Sequence, residues 1–262
     1  MDLQLTGKHV LVTGGSRGIG LACARAFLRE GARVSIAGRT PAHLDTAAAQ
    51  LLAEGHSVGG YSADLSDARA AVHMLDAIQA ESGPIDILVN SAGAARRTPF
   101  DELQPQNWHD AMQAKFFSYI HVMDPLIKRM GERGSGAIVN IIGMGGKVAS
   151  PTHLAGGAAN AALMLATAGL AAAYGPRGVR VNAVNPAMTL TDRLAEGIAA
   201  DARLRKMTEQ EVLRDAESRM PLGRLAKPED IANAVLFLAS PSAGYISGAI
   251  ISMDGAAVPM VV

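Results

Sequence analysis

The 262-residue chain has the composition of one large α/β domain. Hydrophobic residues make up 49% and aromatic residues 4%, so the core must be mainly aliphatic. Lys plus Arg and Asp plus Glu number 24 each, so the net charge gives no reason to expect nucleic acid or an anionic membrane as a partner. Cys23 is the only cysteine, which excludes an intrachain disulfide and a cysteine metal cluster and fits a reducing cytoplasm. No signal peptide is expected at residues 1–15, nor any membrane span, because no apolar run reaches ~20 residues without Gly, Pro or a charge.

Short β-branched segments alternate with longer helical patterns along the chain. Seven segments are predicted to be strands: 8–13, 33–37, 57–61, 85–89, 137–142, 179–184 and 250–253. Six segments between them are predicted to be helices: 21–30, 43–54, 68–81, 106–130, 152–173 and 228–240. This alternation predicts a doubly wound, Rossmann-like α/β fold, with a parallel seven-stranded sheet covered by helices on both faces.

The whole chain, 1–262, is predicted to be a single dinucleotide-binding domain. One polar and charged segment, 191–220, interrupts the alternation before the last helix. Ligands bind at the carboxyl ends of the strands in an open α/β sheet, so we expect this segment to be a lid over the site.

A glycine-rich motif follows the first predicted strand. Residues 13–20 read Thr-Gly-Gly-Ser-Arg-Gly-Ile-Gly. Gly14 permits a tight turn, Gly18 lets the backbone approach a pyrophosphate, and Gly20 allows the helix to pack closely on the strand. The free N–H groups of the following helix would face the phosphates, so the motif predicts a dinucleotide site.

The TGxxxGIG spacing resembles the nucleotide motif of the short-chain dehydrogenase/reductase family. Five further matches follow in the family's order: Asp64-Leu65; Asn90-Ser91-Ala92-Gly93; residues 180–186 with Thr191; Pro221-Leu222-Gly223-Arg224 with Pro228-Glu229-Asp230; and Ser247-Gly248 with Asp254-Gly255. The resemblance covers the whole chain. It implies cofactor contacts at Gly14, Ser16, Arg17, Gly18, Ile19, Gly20, Arg39, Asp64, Leu65, Asn90, Ala92, Gly93, Pro186, Thr189 and Thr191, and no metal.

The residues near the adenosine ribose favour NADP(H). NAD-binding proteins place a carboxylate at the end of the second strand, where it would repel a 2′-phosphate. Here that position is Gly38, followed by Arg39, and Arg17 lies in the glycine-rich loop. Two guanidinium groups suit a phosphate dianion, although both could instead be solvated surface arginines.

The resemblance also shows what the chain lacks. Members of the family usually carry an Asn-Ser-Tyr-Lys set, in which Ser and Tyr hold the substrate oxygen, Tyr transfers the proton and Lys binds ribose. The family's fifth-strand motif matches residues 138–143 and puts Gly143 in place of the serine. Its Y-x-x-x-K-A-A-L motif matches residues 156–163 and puts Gly156 in place of the tyrosine and Asn160 in place of the lysine.

The family's asparagine lies seven residues after a tryptophan, and the seventh residue after Trp108 is Lys115. Relative to the family's motifs, lysine and asparagine have therefore exchanged positions, and we expect Lys115 within hydrogen-bonding reach of Asn160 and of the ribose. The competing interpretation is drift in an inactive site, with Lys115 extending to solvent. Tyr174 lies at the far end of its helix and cannot replace the missing tyrosine; a packing role is expected.

His153 is the candidate proton donor. Ser150 and Pro151 are predicted as N-cap and first residue of the fifth helix, which puts His153 in its first turn, on one face with Gly156. Histidine titrates near neutrality. An exposed helix-end histidine is the equally weighted alternative, and the other six histidines, His43 among them, are assigned no role.

Three functions remain open. The first is an NADP(H)-dependent oxidoreductase acting on a carbonyl or alcohol, its small-molecule substrate unknown. The second is a nucleotide-binding pseudoenzyme or partner subunit, and the third a lyase or isomerase that retains the dinucleotide for structure. The resemblance also implies a homo-oligomer, a dimer or tetramer, paired through the fourth and fifth predicted helices and the small-residue face from Ala158 to Ala172.

Overall fold

The computed structural model describes residues 2–93 and 95–259. Its strands are β1 (His9–Thr13), β2 (Arg33–Gly38), β3 (Gly59–Ser62), β4 (Ile87–Asn90), β5 (Gly136–Ile141), β6 (Val179–Pro186) and β7 (Ile250–Met253). They form one parallel seven-stranded sheet, as predicted, and their order in it is β3-β2-β1-β4-β5-β6-β7. The α-helices are α1 (Gly18–Arg29), α2 (Pro41–Ala53), α3 (Ala68–Ser82), α4 (Pro105–Ala111), α5 (Ser118–Arg133), α6 (Leu154–Tyr174), α7 (Asp192–Arg205), α8 (Glu209–Ser218) and α9 (Pro228–Ala239).

The sheet is the middle of three layers because its central strands are apolar on both faces. In β1, Val10 and Val12 join the buried cluster that includes Phe27 of α1 and Val235 of α9. Leu11, between them, joins the opposite cluster with residues of α3 and α5. This alternation within a fully buried strand is the pattern of a parallel sheet covered on both sides.

The predicted helix 106–130 is wrong in one respect. The segment is interrupted by a π-helical turn, Met112–Phe117, between α4 and α5. Gly93 packs so closely there that a Cβ on it would overlap the carbonyl oxygen of Ala114. π-helical turns are often found at functional sites, and this one carries Lys115.

Segment 191–220 contains two helices, α7 and α8, which pack on each other. A capping box begins α8, in which Thr208 and Glu211 bond each other's backbone N–H groups. The role of the segment as a lid stays a prediction.

Among the described residues, one helical stretch, Leu154–Arg177, has the length and apolar character of a membrane span. Half of its most apolar window is buried inside the protein, and α6 packs against β6. It is a core helix of this fold.

Candidate active site

A cleft of about 540 Å³ opens where β1, β2 and β4 end. Gly14 forms its floor with a φ of 66°, and a Cβ there would lie 2.9 Å from backbone atoms of Ser91 and Ala92. Gly18 also has a positive φ, 55°, and a Cβ on it would lie 3.4 Å from the side chain of Thr191. Only glycine leaves the backbone of this turn open to a ligand.

Most of the predicted cofactor residues line this cleft: Gly14, Ser16, Arg17, Gly18, Ile19, Arg39, Asp64, Leu65, Ala92, Gly93 and Thr191. Four others do not. A Cβ on Gly20 would overlap the carbonyl oxygen of Gly14, so Gly20 serves close packing of α1. Asn90 is buried and donates to Asn140 at 3.0 Å, while Pro186 and Thr189 are buried in and beyond β6.

The cleft is also lined by Gly38 and Ser91, which belong to the motifs noted above, and by residues that the sequence did not single out: Thr40, His43, Ala63, Ser66, Ala114, Ser118 and Asp192. His43 is the notable one, because it was assigned no role. It lies exposed in the first turn of α2, close behind Arg39 in the chain. Its position four residues after Arg39, in the first turn of the helix that follows β2, was the available signal.

The ribose end of the cleft is positively charged. Arg17 and Arg39 are both exposed, and no carboxylate among the described residues forms an ion pair with either. The carboxylate that is present, Asp64, accepts from Ser66 Oγ at 2.7 Å and from its N–H at 3.0 Å. These bonds, and more weakly the charge of Arg39, hold the pKa of Asp64 below its usual value. The glycine floor and the two guanidinium groups fit a phosphorylated dinucleotide.

His153 and Gly156 lie at the start of α6, with a correction to the prediction. The helix begins at Leu154 and His153 is its N-cap residue, with Ser150 and Pro151 outside the helix. The N–H of His153 donates to the carbonyl of Ser150 at 2.9 Å, so residues 150–153 form a turn that ends at the N-cap of α6. A Cβ on Gly156 would overlap the imidazole of His153. The ring therefore occupies the space next to Gly156 that any larger residue would need.

Asn160 lies one turn further along α6, beneath the loop that follows β5. Its Nδ2 is 3.4 Å from where a Cβ on Gly143 would be. Asn160 is 4% exposed, and its buried Oδ1 has no hydrogen-bond partner among the described residues. A buried amide oxygen without a partner is costly, so this atom suits a water or a ligand hydroxyl as donor.

Lys115 is held by other groups than those expected. Its Nζ donates to Tyr119 Oη at 2.7 Å and to the carbonyl of Ile141 at 3.2 Å. Tyr119 Oη donates to the same carbonyl at 2.7 Å, and burial raises the pKa of this phenol. Because Asn160 Oδ1 accepts no hydrogen bond, the expected bond between Lys115 and Asn160 is not formed.

Tyr174, at the far end of α6, has the packing role expected of it. Its ring packs beside Gly131, and the guanidinium of Arg177 lies 5.6 Å from the ring centroid. His153, Asn160 and Lys115 are not among the described residues that line the cleft. The parallel seven-stranded sheet with a cleft at the carboxyl ends of its strands defines the molecule as an α/β protein of the Rossmann class.

Comparison with known proteins gives the family. A family model described as enoyl-(acyl carrier protein) reductase matches residues 14–256. The D-threitol dehydrogenase of Mycolicibacterium smegmatis is 38% identical, over 97% of this chain and 94% of that protein. The gluconate 5-dehydrogenase of Gluconobacter oxydans is 33% identical, over 96% of this chain and 95% of that protein. The chain belongs to the short-chain dehydrogenase/reductase family.

Solved structures agree with this assignment. The L-sorbose reductase of Gluconobacter frateurii, in complex with NADPH and L-sorbose, superposes with a TM-score of 0.94 over 100% of both chains at 27% identity. The relatives are named dehydrogenases and reductases. They support an oxidoreductase of alcohols or carbonyl compounds as the class of this enzyme.

Proposed function

We propose that this protein is an NADP(H)-dependent oxidoreductase in which His153 handles the proton that the family's tyrosine usually transfers. The observation that carries the proposal is the packing of the His153 imidazole against Gly156. Gly156 is the residue that matches the family's tyrosine position. In this proposal the imidazole of His153 would take the place of the usual phenol.

In this proposal the cofactor transfers the hydride and the protein transfers the proton. Bound NADPH would supply the hydride for reduction of a carbonyl carbon. His153 would donate a proton to the carbonyl oxygen, and in oxidation would accept it from the alcohol. Histidine suits this work because its ordinary pKa is near neutrality, and a positioned acid or base is worth roughly 10²–10⁴ in rate.

The preference for NADP(H) rests on charge. Gly38 provides no carboxylate at the end of β2, and Arg17, Arg39 and His43 line the same part of the cleft. A 2′-phosphate bound there would accept hydrogen bonds from these side chains and would lie next to positive charge. The NADPH complex of L-sorbose reductase points the same way.

Lys115 and Asn160 have supporting roles in this proposal. The Lys115 ammonium, held by Tyr119 and the Ile141 carbonyl, contributes positive charge near the end of β5. The unpartnered Oδ1 of Asn160 would accept a hydrogen bond from a ribose or substrate hydroxyl, or from a water between them. Both would act on the nicotinamide side of the cleft.

The same Lys115 contacts favour a second candidate, a nucleotide-binding pseudoenzyme. A lysine engaged by a buried tyrosine and a main-chain carbonyl is a structural element, and such a protein could serve as a sensor or partner subunit. In this case the cofactor binds tightly and no substrate turns over.

The test is a panel of alcohols with NADP⁺ and of carbonyl compounds with NADPH, measured by nicotinamide absorbance. Turnover that His153→Ala reduces by at least about a hundredfold, with NADPH affinity unchanged, supports the proposal. His153→Gln keeps a polar side chain of similar size but cannot transfer the proton, so it should be equally slow. Turnover unaffected in both variants would show that another group transfers the proton.

A further inference from the structure

Two consecutive arginines, Arg96 and Arg97, lie on the loop that follows β4. The loop is tied to the segment leading into α6, where the N–H of Thr98 donates to the carbonyl of Thr152 at 3.1 Å. Nη1 of Arg97 also lies 3.5 Å from Thr152 Oγ1. Thr152 directly precedes His153, so this contact brings Arg97 to the residue next to the candidate proton donor.

Both arginines carry charge that the described part of the chain does not neutralise. Each is exposed, and no described carboxylate forms an ion pair with either. Asp101 follows on the same loop and is exposed too, without pairing to them. Other arginines of the fold do form close ion pairs, as Arg129 does with Asp76 at 2.6 Å.

We propose that Arg97, assisted by Arg96, binds the carboxylate of the substrate, which is therefore a hydroxy acid or the corresponding oxo acid. This inference rests on the proposed function, since it places the reacting carbon at His153. A guanidinium binds a carboxylate through two parallel N–H···O bonds, which fixes orientation as well as position. Thr152 and His153 are adjacent in the chain, so the proposal places the bound carboxylate and the reacting carbon at neighbouring residues.

The first experiment compares a six-carbon aldonate with the alditol of the same carbon configuration, both as substrates with NADP⁺. We expect kcat/KM for the aldonate to exceed that for the alditol by at least about tenfold, as for one charge-assisted hydrogen bond. Arg97→Met should remove this preference, mainly by raising KM for the aldonate. Arg97→Lys, which keeps the charge but loses the two-pronged geometry, should restore only part of it. Arg29→Met, a change at an exposed guanidinium on α1, is the control and should leave both substrates unaffected.

The second experiment separates this inference from the proposed function. Binding of the aldonate to the NADP⁺ complex of the His153→Ala variant is measured by calorimetry, where no turnover is needed. Binding that Arg97→Met weakens by at least about tenfold supports the anion site even if no alcohol is ever oxidised. Equal binding of aldonate and alditol, binding independent of Arg97, or a preference for an alditol phosphate over the aldonate would overturn the proposal.

Discussion

The imidazole of His153 occupies the space beside Gly156 that a side chain there would need. A Cβ on Gly156 would lie 2.5 Å from His153 Nε2 and 2.8 Å from Nδ1, well inside contact distance. The two residues are therefore mutually dependent: the glycine is required for the histidine to adopt this position. Both lie within the first turn of α6 and its cap.

A double-mutant cycle tests this dependence. Alanine is better than glycine in a helix by about 1 kcal/mol, so Gly156→Ala would ordinarily stabilise α6. In the wild-type protein we expect it to destabilise instead, because the methyl group displaces the imidazole. In the His153→Ala background the same change should stabilise by about 1 kcal/mol. The free energy of unfolding, from urea denaturation, gives the coupling.

Gly169→Ala is the matched control for that cycle. Gly169 lies further along α6, and a Cβ there would meet nothing within 4 Å. It should therefore stabilise equally with and without His153. Additive effects of the Gly156 and His153 changes would contradict the packing described for them.

Arg39 should select the phosphorylated cofactor. We expect NADPH to bind at least tenfold more tightly than NADH, and Arg39→Ala to remove most of that preference by weakening NADPH alone. Calorimetric titration of both nucleotides measures it. His43→Ala should weaken NADPH less, because an imidazole cannot form the two parallel hydrogen bonds by which a guanidinium binds a phosphate. Equal wild-type affinities for the two nucleotides would remove the basis for the assignment.

Lys115 should support cofactor binding. Lys115→Ala removes an ammonium group and leaves Tyr119 with its bond to the Ile141 carbonyl. We expect a marked loss of NADPH affinity, with Tyr119→Phe as the comparison that perturbs the same cluster but retains the charge. Unchanged binding and turnover in Lys115→Ala would show that the lysine is a structural element only.

The exposed face of α6 should form an oligomer contact. Ala158, Ala161, Leu165, Ala168 and Ala172 are all exposed on it, and Leu165 is 77% exposed. We propose a homotetramer in solution, since small residues let helices approach closely. Leu165→Arg should give smaller species by light scattering. Leu52→Arg, at a 65% exposed position on α2, should leave the assembly unchanged. A wild-type monomer at micromolar concentration would refute the proposal.

His9 should make stability depend on pH. It is 1% exposed and bonded through its ring to Ser35 and to the carbonyls of Gly83 and Pro84. Burial lowers its pKa below the ordinary value of 6.5, and the charge of Arg33 adds to this. Near pH 6.5 this histidine becomes protonated in the unfolded chain but stays neutral in the folded protein. The free energy of unfolding therefore decreases as pH falls below that value.

The measurement is the free energy of unfolding between pH 7 and pH 5. His9→Gln should reduce its decline over this range, even if the variant is less stable throughout. His73→Gln, on the exposed side of α3, is the control. An identical decline in His9→Gln and in the wild type would exclude His9 as the source.

Sequence patterns alone predicted the parallel seven-stranded sheet and most of the residues that line the cleft. The reason is that these features depend on local signals. The continuous apolar run of β1 and the glycine spacing of residues 13–20 are properties of short segments. The sequence also identified Arg39 as a candidate cofactor contact, because this residue directly follows the end of a strand.

The side-chain contacts around α6 are visible only in the tertiary structure. The bond from Lys115 to the carbonyl of Ile141 joins residues 26 apart in the chain, and no local pattern shows it. The π-helical turn that carries Lys115 likewise follows from packing between elements. The contact of His153 with Gly156 follows from a helix cap placed three residues later than predicted. Helical periodicity fixes which residues share a face, but the side chain that fills a given space is decided by what packs against it.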